Sequence, residues 1–257
     1  MNRPRDLDSN LERLERFGVR LGLETTYSLL EGCGSPQLAY PVVLVAGTNG
    51  KGSTAALLES MARASGYRVG LYTSPHLESV EERIRVDGLG IARSDLADVV
   101  ARTVDISDRL LGYPPTYFEA LTAAAFDHFA RVKVDLAVVE VGLGGRLDAT
   151  NASEPVLSLV TEIGLEHQTF LGDSLAAIAR EKAGILRPGA PAVGWLEHPE
   201  ARAAVRQRAD SIGADLTIGS ETAAIAQTGA FSVNGQDLAP SAGGVSTTKL
   251  GSGGACS

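Results

Sequence analysis

The chain has 257 residues, 44% of them hydrophobic, so it can bury a substantial core as one large domain or as a domain and a half. A formal net charge of −8 and a pI near 5.1 argue against a nucleic-acid partner, because that binding depends largely on Lys and Arg neutralising phosphates. Cys33 and Cys256 are too few for a disulfide framework and favour a reducing cytoplasm. No signal-type segment opens the sequence and no apolar run approaches the ~20 residues of a membrane helix, so we expect neither secretion nor a membrane partner.

Apolar periodicity predicts helices and strands that alternate along most of the chain. The predicted helices start with the helical spacing of Leu11, Leu14 and Phe17, and they continue over residues 25–30, 55–64, 94–111, 118–130, 174–186 and 199–212. The predicted strands are the apolar run that starts at Val42, followed by residues 68–73, 134–141, 156–163, 192–195 and 216–218. Ser94 is the expected N-cap of its helix, and residues 83–91 form a small excursion with a turn at Asp87-Gly88.

This alternation predicts an α/β fold with a doubly wound, mostly parallel sheet. The glycine-rich segment of residues 47–54 after its first strand makes the expected fold P-loop NTPase-like. Ligands of such sheets bind outside the carboxyl ends of the strands. Four loops follow predicted strands and should converge there: residues 47–53, 74–77, 140–151 and 164–172.

The composition changes near residue 239, where Gly and Ser become frequent and apolar residues scarce. We therefore expect one domain over residues 1–238, with a helical lead-in, and an irregular tail over residues 239–257 that cannot build a core.

Residues 47–54 combine glycines, one lysine and hydroxyls between a strand and a helix, which is typical of a phosphate-binding loop. Lys51 would lie against the outer phosphates of a nucleotide. The strict G-x-x-x-x-G-K-[ST] pattern fails twice, since Val45 stands at the first glycine position and Gly52 follows the lysine. The loop is therefore a shortened relative of the common form, and the competing interpretation is a glycine-rich turn with a solvated lysine.

Three further residues can carry chemistry on the same edge of the sheet. Glu140 ends an apolar strand, where a P-loop protein places its metal-binding acid. His167 follows the fourth strand and could join Glu140 around a divalent ion, although a lone histidine is more often structural. Lys182 lies in a predicted helix, where a surface lysine paired with an acid is the usual explanation.

Two other nucleotide motifs fail on inspection. Residues 142–147 nearly form a dinucleotide-binding fingerprint, but Leu147 replaces the last glycine and no helix follows. Residues 87–90 match the D-x-x-G motif of GTPases, yet no N-K-x-D motif accompanies them, so ATP is the better nucleotide.

Taken together, the ordered segments resemble the folylpolyglutamate synthase and dihydrofolate synthase family of the Mur ligase superfamily. The resemblance covers roughly residues 10–215 and is carried by six motifs: VAGTNGKGS at 45–53, YTSPHL at 72–77 with ERI at 82–84, FEALTA at 118–123, VEVGLGGRLDATN at 139–151, IGLEH at 163–167 and EKAGI at 181–185. Its order implies the central domain of a Mur ligase.

The resemblance implies an ATP-dependent ligase that joins L-glutamate to dihydropteroate or a folate through an acyl phosphate. In that family's terms, the nucleotide would be held by Gly47, Thr48, Asn49, Gly50, Lys51, Gly52, Ser53 and Thr54. Mg²⁺ would be held by Ser74, Glu140 and His167, and the small-molecule substrate by Arg83 and Asp148. Lys51, His167 and Lys182 would be the catalytic residues, with Lys182 similar to the family lysine that can be carbamylated. We expect a cytoplasmic monomer.

The resemblance also predicts a second, C-terminal ligase domain, which residues 216–257 are too short to form. The expectation is therefore a chain without that domain. This leaves a non-catalytic Mg-ATP-binding fragment as the alternative to an active ligase. A ligase of cell-wall precursors is a weaker alternative, because those enzymes resemble Gly-Lys-Thr where Gly52 follows Lys51 here.

Overall fold

A computed structural model describes residues 6–225, 231–233, 236–239 and 249–250. Its α-helices are α1 (Leu7–Glu15), α2 (Glu24–Gly32), α3 (Lys51–Ala64), α4 (Arg93–Leu110), α5 (Tyr117–Val132), α6 (Gln168–Leu171), α7 (Leu175–Lys182), α8 (Pro199–Ile212) and α9 (Gly219–Thr222). The strands are β1 (Val42–Ala46), β2 (Val69–Tyr72), β3 (Ile84–Val86), β4 (Leu89–Gly90), β5 (Leu136–Glu140), β6 (Pro155–Val160), β7 (Pro191–Gly194), β8 (Asp215–Ile218), β9 (Ala223–Ile225), β10 (Phe231–Val233), β11 (Gln236–Ala239) and β12 (Lys249–Leu250). Short 3₁₀ turns cover Pro36–Leu38, Val80–Arg83, Ala149–Ala152 and Ala183–Ile185.

The main sheet has eight strands in the order β4-β3-β2-β5-β1-β6-β7-β8. The six strands from β2 to β8 in that order are parallel, while β3 and β4 form an antiparallel hairpin at one edge. The predicted doubly wound, mostly parallel sheet is therefore confirmed, and the hairpin is the excursion expected at residues 83–91. From β1 the chain continues to β2 and β5, which lie toward one edge of the sheet, and then crosses to β6 on the opposite flank of β1. The direction of strand succession therefore reverses at β1, which makes the adjoining end of the sheet a topological switch point.

Alternate residues of the central strands pack on opposite faces, as the two-residue period of a strand requires. Leu44 and Val139 belong to the large core that includes α5, whereas Val45 and Val138 belong to a smaller cluster beneath α3. All five residues of β1 are buried. Burial on both faces explains why the sequence of β1 is a continuous apolar run rather than an alternating one.

The start of α4 and the end of α7 differ from the sequence-based predictions. Ala92, not Ser94, is the N-cap of α4, and no side-chain cap bond forms there. The guanidinium of Arg93 instead reaches Asp8 and Glu81, at 2.5 and 2.7 Å, so long-range ion pairs accompany the start of this helix. Ser174 does cap α7, but that helix ends at Lys182 rather than 186, because the chain tightens into a 3₁₀ turn.

A second, antiparallel sheet has the strand order β12-β11-β10-β9. Of the tail predicted to be irregular, residues 239–257, only Ala239 and the strand Lys249–Leu250 lie within the described residues. The rest of that prediction falls outside them and stays a prediction. Within the part of the chain that the structure describes, no helix combines the length and apolar character needed to cross a bilayer.

Candidate nucleotide and substrate site

The loop between β1 and α3 has the shape that its glycines predict. Gly47 has φ of +149°, and a Cβ there would lie 1.8 Å from Thr161 Oγ1, so no other residue fits without displacement. Gly50 has φ of +82° and is the N-cap of α3. The amides of Thr48 and Asn49 both donate to the carbonyl of Glu162, at 2.8 and 3.2 Å, and fix the loop against the end of β6.

The second half of the predicted loop is the first turn of α3, which begins at Lys51 and not near residue 55. No side chain of the described residues caps this end of α3. The helix therefore presents amides and a positive dipole end toward the loop, which together favour an anion. Lys51 Nζ donates to the carbonyl of Thr48 at 3.1 Å, so the loop lysine folds back over its own loop.

Glu140 lies opposite this turn, at the end of β5, and is 5% exposed. Its Oε2 accepts a hydrogen bond from the amide of Ser74 at 3.0 Å. A Cβ on residue 52 would lie 3.4 Å from Glu140 Oε2, so the glycine leaves room between α3 and the carboxylate. Burial raises the pKa of Glu140, while the Ser74 amide and the Lys51 ammonium act in the opposite direction. A buried carboxylate with this environment suits a cation.

Of the three residues predicted to hold a metal, Ser74 and Glu140 are in contact, whereas no contact of His167 with either is seen. Ser74 and Glu140 are in contact through the hydrogen bond above. His167 is exposed and is the N-cap of the short α6, with a left-handed backbone at φ +43°. Among the described residues, no group of three or more His, Cys, Asp or Glu side chains is arranged to hold a metal ion. The role of His167 stays a prediction.

The environment of Lys182 differs most from the one that the sequence predicts. It is 1% exposed, so the expected surface lysine is wrong. Its Nζ donates to the carbonyl of Gly47 at 2.7 Å and to Glu166 Oε1 at 2.5 Å. Burial lowers the pKa of Lys182 even though Glu166 opposes the shift. Burial also acts to raise the pKa of Glu166, but the hydrogen bond and charge of Lys182, together with Lys51 and Thr48, bring that pKa below its usual value.

A cavity of about 280 Å³ adjoins this site and shares Ser74 with it. Its walls include both residues predicted to bind the substrate, Arg83 and Asp148. Arg83 Nε donates to His76 Nδ1 at 2.8 Å, and its guanidinium carbon lies 5.2 Å from the centre of the Tyr117 ring. These contacts hold Arg83 at the wall of the cavity.

Asp148 is buried, and protein donors already occupy both of its oxygens. Oδ1 accepts from the amide and the hydroxyl of Thr150, at 3.0 and 2.5 Å, and Oδ2 accepts from the amide of Leu143 at 2.8 Å. Burial raises the pKa of Asp148, and these donors act against the shift. Asp148 thus organises the glycine-rich loop that forms one wall of the cavity.

Sequence reasoning missed two charged residues on the cavity wall, Arg20 and Glu119. Glu119 is 2% exposed and lies in the first turn of α5, where it forms a capping box with Thr116. The T-x-x-E pattern at residues 116–119 signals that capping box in the sequence. Nothing local indicates that α5 turns this end toward the loop after β5.

Comparisons with known proteins find relatives by sequence and by fold. No family model matches the chain. The probable bifunctional folylpolyglutamate synthase/dihydropteroate synthase of Haloferax volcanii is 45% identical over 212 residues, which are 82% of this chain and 25% of that protein. The dihydrofolate synthase/folylpolyglutamate synthase of Bacillus subtilis is 42% identical over 199 residues, which are 76% of this chain and 46% of that protein.

Solved structures with a similar fold come from the same group of proteins. Escherichia coli FolC in complex with DHPP and ADP superposes with a TM-score of 0.81 at 38% identity, over 88% of this chain and 55% of that one. A bifunctional folylpolyglutamate synthase/dihydrofolate synthase with Mn, AMPPNP and L-glutamate bound gives 0.81 at 35% identity, over 90% and 56%. The chain thus spans between 25% and 56% of the length of these relatives. Sequence and fold together show that it belongs to the folylpolyglutamate synthase/dihydrofolate synthase family.

Proposed function

We propose that the chain binds Mg-ATP at the loop of residues 47–54 and contributes the ATP-binding half of a ligase that joins L-glutamate to dihydropteroate or a folate. The observation that carries the proposal is the shared position of Ser74. Its amide bonds the buried Glu140 opposite the phosphate loop, and the same residue lines the adjoining cavity. A carboxylate held in that cavity would therefore lie close to the end of a bound triphosphate.

The reaction we infer has two steps. A carboxylate oxygen of the substrate attacks the γ-phosphorus of ATP, and the bond to the bridging oxygen breaks to give an acyl phosphate and ADP. The glutamate amine then attacks the acyl carbon, loses a proton and displaces phosphate. Both steps build negative charge on oxygens, so catalysis needs positioning and cationic groups more than covalent help.

The described residues supply these groups. The amides of the loop and of the first turn of α3 would hold the phosphates, with Lys51 against the outer ones. Lys182 Nζ donates a hydrogen bond to the Gly47 carbonyl and so holds the start of the loop in place. The buried carboxylate of Glu140 and the space left by Gly52 suit Mg²⁺, which Ser74, Glu140 and His167 would hold. Bound there, the ion would neutralise charge on the transferred phosphoryl group.

Relatives support the ligands that we assign. The E. coli structure holds ADP and DHPP, and the second holds Mn, AMPPNP and L-glutamate. We extend these to ATP, a divalent metal, a dihydropteroate-type substrate and glutamate for this chain, with a carbamylated Lys182 as a further prediction. The low cysteine count and the nucleotide substrate favour a cytoplasmic setting.

Calorimetry with Mg-ATP tests the nucleotide site. Lys51→Gln should abolish measurable binding, whereas Lys133→Gln, the same change at an exposed lysine at the end of α5, should not. His167→Ala should weaken binding in Mg²⁺, while His198→Ala, at another exposed N-cap, should have no effect. Equal affinities in each pair would refute these assignments.

Ligation is a separate prediction from nucleotide binding, because the chain spans about half or less of the length of its relatives. Incubation with ATP, dihydropteroate and glutamate should yield dihydrofolate if this chain alone is a complete ligase. Mg-ATP binding without product would instead favour the second candidate function, a nucleotide-binding portion that needs the remainder of a longer ligase.

A further inference from the structure

We propose that Arg146 and Glu181 are positioning residues of the nucleotide site, which act by holding the backbone of Lys182 in place. The inference rests on the proposed function, because it takes the loop of residues 47–54 as the nucleotide site. It deepens that proposal by assigning the ion pair, outside the loop, that sets the position of the loop.

The ion pair joins the loop after β5 to the last turn of α7. Arg146 Nε donates to Oε1 and Oε2 of Glu181 at 3.1 and 3.2 Å, and Nη2 donates to Oε1 at 2.9 Å. The backbone amide of Arg146 also donates to the carbonyl of Glu181 at 2.8 Å. A two-pronged contact of this kind, with a backbone bond beside it, fixes the orientation of the two segments as well as their distance.

The segments that carry the pair are in backbone contact. A Cβ on Gly145 would lie 2.8 Å from the carbonyl oxygens of Glu181 and Lys182 and 3.1 Å from Lys182 Cα. On the other side of the contact, a Cβ on Gly184 would lie 2.3 Å from Arg146 Cβ. Neither position therefore has room for a side chain unless the two segments move apart. The place of Lys182 is consequently set by the loop after β5, to which the ion pair holds it.

Lys182 carries this placement to the phosphate loop. The residue is 1% exposed, and its Nζ donates to the Gly47 carbonyl at 2.7 Å and to Glu166 Oε1. Gly47 directly follows β1 and begins the loop. Because one buried side chain joins the two ends, a tilt of the Lys182 backbone moves Nζ away from that carbonyl. Binding sites hold their geometry to within about 0.5 Å only when supporting residues are fixed in this way.

The exposure of the pair separates a positioning role from a merely structural one. The side chains of Arg146 and Glu181 are 55% and 25% exposed. An ion pair in contact with water contributes little to the stability of a fold. Its two-pronged geometry is directional, however, because the rigid guanidinium fork matches one orientation of the carboxylate. Loss of the pair should therefore disturb the loop more than it changes the free energy of unfolding.

Calorimetry of the full chain with Mg-ATP gives the first test. Arg146→Gln and Glu181→Gln should each weaken binding by about tenfold, as the loss of a supporting contact around a site does. The two variants change the net charge in opposite directions, so an effect of charge alone would weaken binding in one and tighten it in the other. Arg13→Gln is the matched control, because Arg13 forms a partly exposed ion pair with Asp108 that joins α1 to α4. It should keep the wild-type affinity.

Amide hydrogen exchange without nucleotide gives the second test. The amides of Thr48 and Asn49 donate to the carbonyl of Glu162 at 2.8 and 3.2 Å, so their protection reports how firmly the loop is held. Exchange at both amides should be about tenfold faster in each variant of the pair than in wild type, and unchanged in the control. Global unfolding, followed in urea, should change little in all three variants.

Mg-ATP affinities that stay at the wild-type value in both variants of the pair, or that change in opposite directions, overturn the proposal. Unchanged amide exchange in both variants also overturns it. If Arg146→Gln fails to fold, Glu181→Gln decides by the same two measurements. If wild type binds no Mg-ATP, the proposed function is wrong, and amide exchange alone then decides whether the pair positions the loop.

Discussion

Lys182→Met removes a buried ammonium that joins two parts of the candidate site. The Nζ atom connects the carbonyl of Gly47, at the start of the phosphate loop, to Glu166 after β6. Methionine fills a similar volume without the charge, so the change leaves the Gly47 carbonyl unpaired and Glu166 without its cation. We expect both the stability of the fold and the geometry of the loop to suffer.

The expected loss follows from the contacts. Leaving a buried carbonyl unpaired costs about 1–3 kcal/mol, and removing one partner of a buried ion pair costs about 3–5 kcal/mol. The Glu166 side chain is 22% exposed, so water can solvate part of its charge, and the burial of the Lys182 charge is relieved. These offsets bring the expected net loss in unfolding free energy to about 3 kcal/mol.

Urea denaturation of wild type, Lys182→Met, Glu166→Gln and the double variant measures the loss and its origin. The double-variant cycle should give a coupling energy of about 1–3 kcal/mol. Lys133→Met, the same change at an exposed lysine, should alter stability by less than about 0.5 kcal/mol. A loss below about 1 kcal/mol for Lys182→Met, or a coupling energy near zero, would refute the reasoning.

The pH dependence of Glu166→Gln provides an independent check. Burial lowers the pKa of Lys182, and Glu166 opposes that shift, so the variant should lower this pKa further. Between the folded-state pKa and the ordinary lysine value of 10.5, the unfolded chain then binds more protons than the folded one. Stability therefore rises with pH across that window. The rise should be larger in Glu166→Gln than in wild type, and parallel curves would contradict the assignment.

Four further variants probe the loop and its acid. Glu140→Gln should stabilise the metal-free protein in urea denaturation, more at pH 8 than at pH 5. Burial raises the pKa of Glu140, so the folded state disfavours its charged form as the pH rises. Gly47→Ala should cost more than about 2 kcal/mol in thermal denaturation, since its Cβ would collide with Thr161, whereas Gly50→Ala, with open space around it, should cost about 1 kcal/mol. Gly52→Ala should leave stability nearly unchanged but weaken Mg-ATP binding, measured by calorimetry, by roughly tenfold.

Local sequence patterns predicted the architecture because each strand carries its own signal. Strands β1 and β5 are buried on both faces, so nearly every residue in them is apolar and the strands can be recognised in the sequence. Helix ends were less predictable. The guanidinium of Arg93 bonds residues far along the chain, and the turn after Lys182 lies where a Cβ on Gly184 would collide with Arg146. Such tertiary contacts leave no local pattern.

The candidate site divides in the same way. The phosphate loop is contiguous, so its glycines and lysine predict its shape directly. The burial of Lys182 depends instead on how closely α7 approaches the loop after β5, where a Cβ on Gly145 would lie 2.8 Å from the Lys182 carbonyl. Its partner Glu166 and the cavity residue Glu119 lie in motifs that the resemblance uses, but their roles follow from distances that only the fold supplies.

Ser74 shows how the two halves of the site depend on each other. Its amide donates to Glu140, which faces Gly52 in the first turn of α3, while the residue itself lines the cavity. A cation held by Glu140 and a ligand held in the cavity, as proposed above, would both lie beside the short loop after β2 that carries Ser74. Any coupling between the two binding free energies through this loop would be equal in both directions, as linkage requires.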